Sequence, residues 1–82
     1  SMIEDHIQDE DYVIVERRDV AENGETVVAL IDNDRATLKR FYREKGRVRL
    51  QPAHPNMKPI ILREGDFAIQ GVVIGLLRKF DK

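Results

Sequence analysis

The sequence predicts a mostly-β domain, and three observations carry that expectation. Short runs rich in β-branched and aromatic residues recur along the chain, Gly and Asn punctuate them, and no stretch sustains the apolar stripe of a long helix. Tyr12-Val13-Ile14-Val15-Glu16 reads as the first strand. Asn23-Gly24 is a strong turn signal, and Thr26 to Ile31 follows it as a second strand. The turn at Asp32-Asn33-Asp34-Arg35 leads into a third, Ala36 to Tyr42. Lys45-Gly46 turns the chain into Arg47-Val48-Arg49-Leu50, where basic and apolar residues alternate. Pro52, Pro55 and Pro59 mark an irregular crossing with a turn at Asn56, and Pro59-Ile60-Ile61-Leu62 reads as a short edge strand, since Pro is tolerated at a strand start. Glu64-Gly65-Asp66 turns again. The last element, Phe67 to Phe80, carries Gly71 and Gly75 inside an apolar run, which favours a long bent strand over a helix. The expected architecture is about six or seven strands in several short, strongly curled antiparallel sheets.

At 82 residues the chain is a single domain with one modest core, spanning positions 1–82. Hydrophobic residues at 41% and charged residues at 35% argue against disorder. There is no Cys, which removes disulfides and thiolate metal sites and fits a cytoplasmic setting. No apolar run is long enough to cross a bilayer, so no membrane partner is expected. The net charge of -1 exerts no global pull on nucleic acid.

The inventory of nucleophiles is short: Ser1 is the sole serine, and Thr26 and Thr37 are the sole threonines. A Ser–His–Asp arrangement would need His6 or His54, one in an acidic turn and the other between prolines, where each reads as an ordinary surface histidine. Neither has ligand spacing, so no metal or other cofactor is expected. A serine can instead be activated by a neutral lysine, which requires burial among apolar side chains to shed its proton. Lys39 suits that role best, because strand alternation sets Thr37, Lys39 and Phe41 on one face and Leu38, Arg40 and Tyr42 on the other. On pattern alone, a strand lysine is more often solvent-facing.

Six stretches carry a resemblance. Ser1-Met2-Ile3, then Ile7 to Val13, Asn23 to Ala29, Ala36-Thr37-Leu38-Lys39-Arg40, Leu50 to Pro55, and Phe67 to Gly75 are similar, in order and at close to the same spacing, to LexA-type self-cleaving repressors. The resemblance covers essentially the whole chain and implies the LexA/signal-peptidase-like fold. It gives Ser1 the nucleophile's place, Met2 that of its active-site neighbour, and Lys39 that of the general base. Backbone N–H groups near the serine would hold the oxyanion. It further implies a bacterial, SOS-response repressor that cuts an Ala-Gly bond in its own linker when a RecA filament on single-stranded DNA stimulates it. Ile69-Gln70-Gly71 resembles the strand through which such repressors form homodimers.

The family's cleavable loop and operator-binding domain lie upstream of the serine, so operator DNA is expected as a partner of a longer protein only. Glu10 stands where the family has Gly, which strains the local turn if that position needs a positive φ. Ser1-Met2 also resembles the remnant left when a protease removes an expression tag. Two rival readings stay open. A UmuD-like protein, a prophage repressor or a signal peptidase would share the Ser–Lys pair. A non-catalytic β-rich binding or dimerisation module would instead use Arg40, Arg43, Lys45, Arg47 and Arg49 as a basic face.

Overall fold

The structure, a computed structural model, describes residues 11–32, 35–52 and 56–78. Six strands form in chain order: β1 (Tyr12–Glu16), β2 (Thr26–Ile31), β3 (Ala36–Glu44), β4 (Arg47–Gln51), β5 (Ile60–Arg63) and β6 (Phe67–Leu77). They hydrogen-bond into a single antiparallel sheet in the order β1-β6-β2-β3-β4-β5. The expectation of several strongly curled sheets is corrected here. One sheet takes all six strands, and it stays open, because β1 and β5 are each paired along one side only.

Turn chemistry explains the local connections. Lys45 and Gly46 both have positive φ, 45° and 79°, as a two-residue hairpin turn requires. That turn lets Glu44 pair with Arg47, so β3 runs two residues beyond the Tyr42 end read from the sequence. Gly24, at φ 90°, closes a turn in which Glu25 N donates to Glu22 O at 3.1 Å. That turn does not make a β1–β2 hairpin, because β6 lies between the two strands. It docks instead on β3: Gly24 N donates to Phe41 O at 2.8 Å, and the Asn23 side chain accepts from Arg43 N at 2.6 Å. The Glu64-Gly65-Asp66 turn, with Asp66 N donating to Arg63 O at 3.1 Å, connects edge strand β5 to β6.

β6 is the long bent strand that its glycines foretold, and two irregularities bend it. The register slips once against β2, skipping Gln70, and once against β1, skipping Ile74. Each slip flips the inside–outside alternation. Ile69 and Val72, three residues apart, therefore both face the core. Gly71 marks a close approach of β1: a Cβ there would meet Val15 Cγ1 and lie 2.9 Å from Glu16 O. An Arg78–Asp11 ion pair, bonded at 3.1 Å and 3.3 Å, ties the end of β6 to the start of β1.

The core consists of Val27 and Ala29 on β2, Phe41 on β3, Val48 and Leu50 on β4, and Ile69 and Val72 on β6. Ile31, Ile60, Leu62 and Phe67 pack around it. The core therefore lies on the apolar face shared by β2, β3, β4 and β6.

Candidate active site

Lys39 lies in the middle of β3, directly across from Val27, which in turn faces Val72 of β6. Cross-strand partners share a face, so the lysine stem belongs to the same row as two core valines. Phe41, fully buried, is the next residue along that face. Alternation had placed Thr37, Lys39 and Phe41 together, and the register agrees: Thr37 opposes Ala29 and Lys39 opposes Val27, both buried.

The side chain is half-buried, and its amine has two acceptors. Lys39 Nζ donates to Thr37 Oγ1 at 2.9 Å and to the Leu38 carbonyl at 3.3 Å. Its pKa is lowered from the ordinary 10.5, first because burial penalises the charged form and second because the Arg35 cation repels it. Both influences favour the neutral amine that a general base must be. Sequence reasoning put Thr37 on this face without giving it a role, and it overlooked Arg35. The signal was available, since positions 35, 37 and 39 follow the two-residue repeat of a strand.

Ser1 and Met2 lie outside the described residues, as do Glu10, His6 and His54. Among the predicted site residues, the structure thus places Lys39 and the strand Ile69-Gln70-Gly71. Among the described residues no group of three or more His, Asp or Glu side chains could hold a metal ion. Of the strand residues, Ile69 and Gly71 are buried and Gln70 is exposed. β6 has β2 along Phe67 to Val72 and β1 along Val72 to Leu77. Among the described residues, the segment 67–71 therefore has a paired neighbour on one side only.

The basic residues of the rival reading are dispersed. Registers set Arg40, Arg47 and Arg49 on the outer face, where Arg49 stacks over Tyr42 at 4.3 Å and bonds Glu44 at 2.9 Å. Arg43 falls on the opposite face, over the Phe41 ring, and pairs with Glu64 at 2.6 Å. Lys45 sits in the hairpin turn. A surface groove of about 480 Å3 lined by Glu44, Lys45, Arg47, Val48, Arg49 and Ile61 belongs to this hairpin. It begins five residues along β3 from Lys39, about 17 Å at strand rise, and so is not part of the lysine's surroundings.

The family model described as Peptidase S24-like matches residues 1–74. A LexA repressor of Koribacter versatilis is 54% identical over 80 residues, 98% of this chain and 38% of that protein. A LexA repressor of Syntrophotalea carbinolica is 51% identical over 98% of the chain and 40% of its own length. The LexA repressor of Bacillus subtilis is 53% identical over 95% and 37%. The chain thus spans about two fifths of the length of these relatives.

Proposed function

The chain belongs to the Peptidase S24-like family, and on that premise we propose that it is the C-terminal catalytic and dimerisation domain of a LexA-type repressor that cuts its own linker. Ser1 is the nucleophile and Lys39 the general base. The observation that carries this reading is the position of Lys39 on the apolar face opposite Val27, with its amine held at Thr37 Oγ1 and its charged form disfavoured.

The chemistry follows from that placement. The neutral Lys39 amine takes the proton as Ser1 Oγ attacks the scissile carbonyl, so the oxygen attacks as an alkoxide equivalent. The resulting ammonium then returns a proton to the departing amine, which leaves as a neutral group. Water repeats the sequence on the ester and regenerates both side chains. Backbone N–H groups around Ser1 and Met2 would stabilise the oxyanion. The substrate is the linker upstream of Ser1 at an Ala-Gly bond, and an activated RecA filament on single-stranded DNA is the stimulus. Operator binding belongs to the longer protein. Kinship with LexA repressors supports a bacterial cytoplasmic setting, and no helix among the described residues is long and apolar enough to cross a membrane.

Homodimerisation through β6 fits the pairing of 67–71, which among the described residues is one-sided and offers a strand edge to a second copy.

The test uses a longer chain that supplies the linker, incubated across pH 7 to about 10, where a lysine base becomes neutral. Cleavage should rise with pH and disappear in both Ser1→Ala and Lys39→Ala. Cleavage that persists in Lys39→Ala removes the lysine from the mechanism.

A further inference from the structure

We propose that the outer face of β3, β4 and β5 is a docking surface for an acidic protein segment, with Arg47 and Arg63 engaging its carboxylates around an apolar anchor on Ile61. The inference stands apart from the reading of Lys39, which lies on the opposite face of the sheet.

Strand register lays this face out as a grid. Glu44, Arg47 and Arg63 form one row across the three strands, and Tyr42, Arg49 and Ile61 form the next. Val48, Leu50, Ile60 and Leu62, which alternate with them, turn the other way into the core or its margin. The grid differs from the basic face read off the sequence: Arg43 falls on the opposite side over Phe41, and Arg63 joins Arg47. Among the described residues of these strands, Glu44 is the one carboxylate on the face, and it is taken. Its Oε1 accepts from Arg49 Nη2 at 2.9 Å. Arg47 and Arg63, directly opposite each other, have no ion-pair partner among the described residues. Both side chains are exposed, and like charges so placed destabilise a sheet.

An anion between the two guanidinium groups relieves that repulsion, and arginine forks match carboxylates in bidentate geometry. The second row selects protein over nucleic acid. Arg49 stacks over Tyr42 at 4.3 Å, so the aromatic ring of this face is already capped and offers no platform for a base. Beside it Ile61 is 53% exposed, an aliphatic side chain amid charged ones. A phosphodiester backbone leaves such a group in water. A protein segment instead buries an apolar side chain against it and rings the contact with charge pairs. The groove of about 480 Å3 along Lys45, Arg47 and Ile61 seats that side chain. The whole chain carries a net charge of -1, so the attraction for an acidic partner is local to this face.

The experiment titrates the isotope-labelled chain with the capped peptide Asp-Glu-Leu-Glu-Asp and follows backbone amide shifts. Shifts should gather around Arg47, Ile61 and Arg63 and saturate with a dissociation constant on the order of 1 mM or below. The neutral peptide Asn-Gln-Leu-Gln-Asn, and the acidic one with Ser for Leu, should each bind about tenfold more weakly. Arg63→Glu sets a carboxylate across from Arg47, so affinity for the acidic peptide should fall about tenfold while the melting temperature holds or rises. Arg63→Gln is the second variant should the reversal disturb folding. An absence of shifts at these amides overturns the proposal, and so does undiminished binding in a folded Arg63 variant. Oligothymidylate that shifts the same amides at lower concentration than the peptide makes the face a nucleic-acid surface and overturns it as well.

Discussion

At the scale of single residues, Lys39 combines a functional demand with a cost to folding. Its depressed pKa means that the folded domain holds the lysine proton less tightly than the unfolded chain does. Below the folded value both states are protonated and the cost is present in full. Between that value and 10.5 the unfolded chain binds more protons, so stability rises with pH, and above 10.5 the cost has gone. Lys39→Met should therefore raise the urea midpoint at neutral pH, by an amount that shrinks to nothing above 10.5. An equal gain at all pH values would mean that the charge is irrelevant. Arg35→Gln removes the second influence on the amine, so the pH midpoint of cleavage should move upward while the high-pH plateau stays put. The face of Lys39 could be read from alternation alone, because β3 has no bulge between Ala36 and Arg40. Its half-burial could not, since the row it shares with Val27 is completed by Val72, which arrives from β6 far along the chain. The placement of Ser1 is a matter of family pattern, as it lies outside the described residues.

Among the elements, the strands were the most legible feature and their partners the least. β1 and β2 start and stop at the residues their composition marks, because β-branched runs there are bounded by turn formers. Nothing within Tyr12–Glu16 says that its partner is β6, some sixty positions away, as the register Tyr12 to Leu77 shows. The curled-sheet expectation failed for a related reason: hydrogen bonding across β2–β6 merges what local hairpins would leave as separate pieces. The glycines of β6 were correctly read as marks of bending, and Gly71 has a specific steric cause. Gly71→Ala drives a methyl group into Val15 and the Glu16 carbonyl. It should cost about 1–3 kcal/mol by overpacking, measurable by urea denaturation. A neutral result would show that β1 can lift away freely.

For the whole molecule, the apolar face and the strand edge make separate demands. Phe41 is fully buried at the centre of the core, so Phe41→Ala should cost about 3–5 kcal/mol, a large share of the stability of a small domain. The exposed Ala68 lies on the segment of β6 that β1 does not reach. In the two-fold pairing proposed above, Ala68→Lys places a charge beside its own copy, so sedimentation should show a weaker dimer while the melting temperature of the dilute monomer stays unchanged. A dimer of equal strength would move the interface elsewhere. The position of β6 also dictates an order of assembly. β2, β3, β4 and β5 pair with their immediate neighbours in sequence, through loops that close quickly. β6 must return past all of them to reach β2, and β1 can dock only once β6 is in place. High contact order of this kind makes for slow folding, on a scale of milliseconds to seconds. Val72, paired with Val27 on one side and Glu16 on the other, joins the strands that assemble early to the one that docks last, and in native-state hydrogen exchange its amide should be among the slowest to open.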